Sequence, residues 1–118
     1  MKKFAKAISI FLLLITTMFV MTACVPSSPQ KAREKLEDDR YTVYDLPVDY
    51  LDDAIDGFWA TKYENETSHD VTVYYFKTVK AAKEYYEFEK EFSTDDYVKR
   101  WGKCVYTGNK DGIKDFRK

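Results

Sequence analysis

Val71-Thr-Val-Tyr-Tyr-Phe-Lys-Thr-Val-Lys-Ala-Ala-Lys-Glu-Tyr85 is the stretch that decides the fold. Its first half, Val71 to Phe76, is the strongest β run in the chain, β-branched and aromatic throughout. Thr78 then offers an N-cap oxygen. After it, Ala81, Tyr85, Phe88 and Phe92 make a helical stripe, with Lys and Glu on the other side. A strand that passes straight into an amphipathic helix predicts a mixed fold.

Upstream, Phe58 to Glu64 alternates as a second strand, and Asn65-Glu-Thr-Ser68 is a hairpin turn leading into His69 to Lys77. Leu51, Ile55 and Phe58 recur at i, i+4, i+7. That spacing predicts a helix over Asp49 to Gly57, with Pro47 suited to its first turn and Gly57 as its stop. Tyr41-Thr-Val-Tyr-Asp45 reads as a strand, and Lys31 to Asp39 as a short charged helix with Ala32 and Leu36 on one face. Downstream, Tyr97 to Trp101 and Lys103 to Thr107 pair about Gly102. Gly108-Asn109 then opens a last short helix with Ile113 and Phe116 as its apolar contacts. The order is α-β-α-β-β-α-β-β-α. It predicts an α+β fold: a small antiparallel-rich sheet with helices packed on one face. The inner β-α-β-β-α-β is compatible with a ferredoxin-like core.

Ahead of this domain lies a different kind of sequence. Lys2, Lys3 and Lys6 form a basic start. An uncharged apolar run follows from Ala7 to Val20, and then Met21-Thr-Ala-Cys24. These are the parts of a secretory signal. Thr22-Ala23-Cys24 resembles the bacterial lipobox, with Met21 standing where Leu is usual. The resemblance implies cleavage after Ala23 and a diacylglyceryl thioether on Cys24. At roughly 0.8 kcal/mol per buried methylene, two chains make a stable anchor. The other reading is an uncleaved span, since the uncharged stretch continues to Val25 and approaches the ~20 residues a membrane helix needs. Both readings leave the domain outside the cytoplasm, with the basic end inside. The organisation expected is a signal peptide at 1–23, a lipidated Cys24 with a flexible tether at 24–30, and a single domain at 31–118. Pro26, Ser27, Ser28 and Pro29 supply the tether.

Beyond the lipobox, the layout resembles small lipoproteins of Gram-positive bacteria. The stretches that carry it are Val73 to Tyr85, Gly102-Lys-Cys-Val-Tyr-Thr-Gly108, and Ile113-Lys-Asp-Phe116. They are structural stretches, so the resemblance implies a location and a fold but no substrate.

Charge narrows the partners. Three of the 19 Lys and Arg precede Cys24 and none of the 20 Asp and Glu does, so the part from Cys24 onward is net acidic. An acidic domain without a dense basic stripe does not suit nucleic acid. Tyr is abundant, at 10 residues, and too abundant to be buried throughout. Tyr74, Tyr75, Tyr85 and Tyr86 are expected to reach the surface.

Candidate chemistry is sparse. Asp49, Asp52, Asp53 and Asp56 would share one face of the predicted helix. They are the metal candidates, as hard cations want several carboxylates. A solvated helix face has the same pattern. His69 is the sole histidine, and Ser68-His69-Asp70 reads as a turn, because adjacent residues do not converge as a triad must. Cys104 is expected to pack as a small apolar residue. Lys110, Lys114, Arg117 and Lys118 gather on the last helix, within reach of anionic headgroups or as partners of the helix dipole. No cofactor motif is present. The function expected is a membrane-anchored extracytoplasmic lipoprotein acting as a binding or interaction module for an envelope partner, not an enzyme. One alternative is a ligand- or metal-binding accessory using the acidic face or the Tyr surface. Another is a small cell-wall enzyme using carboxylates such as Glu64 or Glu66.

Overall fold

The computed structural model describes residues 25–92 and 97–118. They form α1 (Pro29–Asp38), β1 (Thr42–Asp45), β2 (Ala54–Glu64), β3 (Thr67–Phe76), α2 (Val79–Phe92), β4 (Val98–Trp101), β5 (Cys104–Gly108) and α3 (Lys110–Phe116). The strands make one antiparallel sheet in the order β1-β2-β3-β5-β4. The fold is α+β, as the sequence led us to expect.

β3 lies at the centre of this sheet. Val71, Val73 and Tyr75 point to one face, beside Phe58 and Ala60 of β2 and Cys104 and Tyr106 of β5. Ala32 and Leu36 of α1, with Ile113 and Phe116 of α3, close that face. Tyr74, Phe76, Val105 and Val98 gather on the other, where Ala81 and Ala82 of α2 pack. Helices therefore cover both faces, not one. The reason lies in Val71 to Phe76, which is almost continuously apolar. That is the pattern of a strand buried on both sides.

The helix predicted over Asp49 to Gly57 is not formed. Residues 49–53 are turn and bend, and Ala54 to Gly57 belong to β2. Asp53 has φ 60, outside the helical region. The backbone groups of the ten-residue β3 also need partners along their whole length. Extending β2 to Ala54 supplies one opposite Phe76, with a β-bulge between Ala54 and Asp56. Gly57 serves close packing rather than a helix stop, since a Cβ there would lie 2.5 Å from the Tyr74 ring. Without that helix the ferredoxin-like order is lost. β1, β2 and β3 run as a meander, and α2 alone crosses over before the β4-β5 hairpin.

The β2-β3 hairpin closes from Glu64 to Thr67 over Asn65 and Glu66, both with positive φ (54 and 63). Such a pair makes the type I′ turn that matches strand twist.

Residues 25–30 are not a free tether. Val25 is 5 % exposed and belongs to the core beneath α1 and α3. The Tyr75 hydroxyl donates to the Pro26 carbonyl at 2.7 Å. Ser28 is the N-cap of α1, its Oγ accepting from the Lys31 amide at 3.3 Å, and Pro29 starts the helix. Ser-Pro breaks a helix from within but starts one from this position. Cys24 and the apolar run before it lie outside the described residues. No helix among the described residues is long and apolar enough to cross a membrane.

The tyrosines are also redistributed. Tyr74 and Tyr75 are buried in the two cores, and Tyr85 and Tyr86 are half-buried. The exposed aromatics are instead Tyr44, Tyr50, Tyr63 and Tyr97, with Trp59, Trp101, Phe88 and Phe92.

Candidate functional site: a cationic cleft over a buried carboxylate

α3 is short, and its position is set by contacts with β3. Asn109 caps it, with Oδ1 accepting from the Gly112 amide at 2.9 Å and the Asp70 amide at 3.1 Å. Asn109 Nδ2 donates to the Ser68 carbonyl at 2.6 Å. Gly112 lies so close to the strand that a Cβ would come within 2.0 Å of the Asp70 carbonyl oxygen. The helix thus packs directly on β3 backbone, which only glycine permits here.

The buried side of α3 presents Asp115, whose side chain is 9 % exposed. Its Oδ2 accepts from the Tyr41 hydroxyl at 2.7 Å and lies 2.9 Å from His69 Nδ1. Lys62 Nζ stands 3.7 Å away and also bridges Asp39 and Glu64, each at 3.2 Å. Lys118 reaches the other carboxylate oxygen at 3.4 Å. Burial alone would raise the Asp115 pKa. Hydrogen bonds from Tyr41 and His69, and the charge of Lys62, outweigh burial and hold it below its ordinary value. Burial, reinforced by Asp115, pushes the Tyr41 phenol up. For Lys62, burial opposes the charge, but hydrogen bonds to Glu64 and Asp39 more than offset it and raise its pKa. Among the described residues, no buried side-chain nitrogen or oxygen lacks a partner.

With its inner side fixed in this way, α3 turns Lys110, Lys114, Arg117 and Lys118 outward. Together with Tyr97 and Lys99 they surround a cleft of about 680 Å³ floored by Ile113. No acidic residue lines it among the described residues. Lys118 is shared with Asp115, but Lys99, Lys110, Lys114 and Arg117 have no ion-pair partner among the described residues. Unneutralised cations converging on a partly apolar floor suit an anion such as a phosphate or carboxylate group. The sequence placed four of these cations on the last helix. It missed Lys99 and Tyr97, which the sheet brings in: Lys99 pairs with Tyr106, and Phe116 of α3 packs on the Tyr106 ring at 4.9 Å. The available signal was the alternation Tyr97-x-Lys99-x-Trp101, which puts all three on one strand face.

The other candidates fall elsewhere. Asp49, Asp52 and Asp53 lie in the turn before β2. Asp56 points to the α1 side and accepts two hydrogen bonds from Arg33, at 2.7 and 2.8 Å. Those bonds hold its carboxyl below the ordinary value. The four carboxylates do not share a helix face. Among the described residues no group of three or more His, Cys, Asp and Glu is placed to hold a metal ion. His69 is not in a turn: it lies in β3, opposite Lys62 and against Asp115. Its neighbours face away from it, Ser68 Oγ donating to Asp70 Oδ2 at 2.8 Å. Among the described residues no hydroxyl or thiol is hydrogen-bonded to a nitrogen of His69 in the way a triad nucleophile would be. Glu64 is paired with Lys62, and Glu66 sits at the hairpin tip. Cys104 is buried, and burial pushes its thiol up to about 12, the inert setting expected of a packed cysteine.

No known protein family matches this chain, and neither does any curated protein or any solved structure.

Proposed function

We propose that this protein is an extracytoplasmic lipoprotein, held at the cell membrane by a lipid on Cys24, that acts as a small binding module of the envelope rather than as an enzyme. The observation that carries the reading is the burial of Val25. The lipobox resemblance implies processing between Ala23 and Cys24, and Val25, the residue after Cys24, packs in the core. Pro26 is tied to Tyr75, and Ser28 and Pro29 start α1. A core residue this close to the expected lipid supports a short link between anchor and domain. The binding role draws on two surfaces: the cationic cleft, and the aromatic row Tyr85, Phe88 and Phe92 along α2, whose last two members are exposed.

The test is fractionation of cells expressing the full chain or its Cys24→Ala variant, with external protease added to intact cells lacking a wall. The proposal expects membrane retention that survives alkaline washing, digestion from outside, and loss of processing in the variant. Retention and processing unchanged in Cys24→Ala would contradict it. Cross-linking from the α2 surface separates module from enzyme. A reproducible protein partner lost in Phe88→Ser/Phe92→Ser supports the module, while capture of wall fragments alone favours the enzyme.

A further inference from the structure

We propose that the cationic cleft between α3 and β4 docks on anionic lipid headgroups, with Trp101 at its margin, and so holds the domain against the membrane in one orientation. This rests on the anchor reading above and deepens it.

The first argument is position. Val25 packs on the face of the sheet that α1 and α3 cover. Tyr75, which holds Pro26, is paired with Cys104, and Cys104 with Trp101. Neighbouring strands lie ~4.8 Å apart, so Trp101 is about 10 Å from Tyr75 on that same face. Lys99 and Tyr97 follow at alternate positions of the chain, about 7 Å per step. The chain therefore leaves the domain toward Cys24 from the face that bears the cleft. With residues 25–30 built into the fold, there is no slack to lift the domain away. Consecutive Cα atoms are only ~3.8 Å apart. A lipid on Cys24 would bring this face to the bilayer, where headgroup charge is felt over ~8–10 Å.

The second argument is charge. From Cys24 onward the chain is net acidic, so its overall charge would repel it from an anionic bilayer. Lys99, Lys110, Lys114 and Arg117 are concentrated on the face nearest the anchor and lack ion-pair partners among the described residues. α2 covers the opposite face, where Glu84, Glu87, Glu89 and Glu91 are interleaved with Lys80, Lys83 and Lys90 and leave no excess of cations. An anionic surface attracts the cleft side and not the α2 side, which fixes orientation. Trp101 is half exposed on the attracted side, and tryptophan favours the headgroup layer. The α2 aromatics are then presented outward.

The test uses the full chain purified from membranes, in a Trp59→Phe background so that Trp101 alone fluoresces. It is reconstituted into phosphatidylcholine vesicles, or into vesicles in which part of that lipid is replaced by phosphatidylglycerol; some lipid chains carry bromine as a quencher. Flotation reads the anchor and quenching reads the docking. The expected result is flotation with both vesicles but strong quenching only with phosphatidylglycerol. Quenching should be lost in 1 M salt, where the screening length falls to about 3 Å. It should be lost in Lys110→Glu/Lys114→Glu and kept in Lys110→Arg/Lys114→Arg. Both positions are exposed, so folding is spared and circular dichroism checks it. Flotation with quenching indifferent to lipid charge or to the Glu pair would overturn the docking and leave the anchor intact. Failure to float with either vesicle would overturn the anchor. Thermal stabilisation by inorganic phosphate, with no response to vesicle charge, would assign the cleft to a soluble anion and overturn the docking.

Discussion

Replacing Asp115 with Ala should destabilise this fold severely. The carboxylate is nearly enclosed. Its loss leaves the Tyr41 hydroxyl without its acceptor, and removes one of three acids around Lys62. Removing one partner of a buried charged cluster typically costs about 3–5 kcal/mol. Lys62 keeps Asp39 and Glu64, so the lower end applies, about 3 kcal/mol. A domain of this size has roughly 5–14 kcal/mol in total, so the loss is a large fraction of it. At about 4–8 °C per kcal/mol, Tm should fall by roughly 12–24 °C. The assay is urea unfolding followed by tryptophan fluorescence, at constant m-value. A cycle of Tyr41→Phe with Asp115→Asn should show coupling above ~0.5 kcal/mol. The pH dependence gives an independent sign. Asp115 is held below its ordinary 3.8, so its contribution is present above that value and is lost as pH falls through the lower, folded value. Asp115→Asn should therefore flatten the acid limb of the stability profile. A cost under ~1 kcal/mol with zero coupling and an unchanged acid limb would show that Asp115 does not hold this cluster together.

Three other changes probe separate parts of the structure. Glu66 carries a positive φ in the hairpin turn, so Glu66→Gly should raise stability by about 0.5–1 kcal/mol in the same urea assay. Gly112→Ala places a methyl into the Asp70 carbonyl and should cost at least ~2 kcal/mol, with amide exchange of α3 accelerated first. Cys104, buried and with its thiol pushed up to about 12, should resist alkylation in the native protein at mildly alkaline pH and react once urea unfolds it.

The fold was most legible where local and tertiary preferences agree. Val71 to Phe76 is a strand by composition and by position. α2 follows its stripe, and Gly102 and Gly108-Asn109 punctuate the last strands and helix as their chemistry requires. Reading failed where tertiary pairing overruled a local pattern. The Leu51, Ile55 and Phe58 spacing is helical, yet β3 needed Ala54 to Gly57 as a partner. Pro26 to Pro29 has a linker's composition, yet Ser28 and Pro29 are in helix-start order, and Val25 fills a hole in the core that no sequence window reveals. The site was half legible. The last-helix cations stood out as a cluster, whereas Lys99 joins them only through β4-β5 pairing. His69 and Asp115 meet only because α3 folds back onto β3, 46 residues apart in sequence.

A lipid on Cys24, as proposed, would enter the membrane directly beside the folded domain. The most direct test of this proposal is the intact mass of the protein extracted from its own membranes, with fragmentation of the N-terminus. The expected species is a chain that begins at Cys24 and carries a diacylglyceryl group on that sulfur. A mass equal to the whole chain from Met1, with an unmodified Cys24, would contradict it.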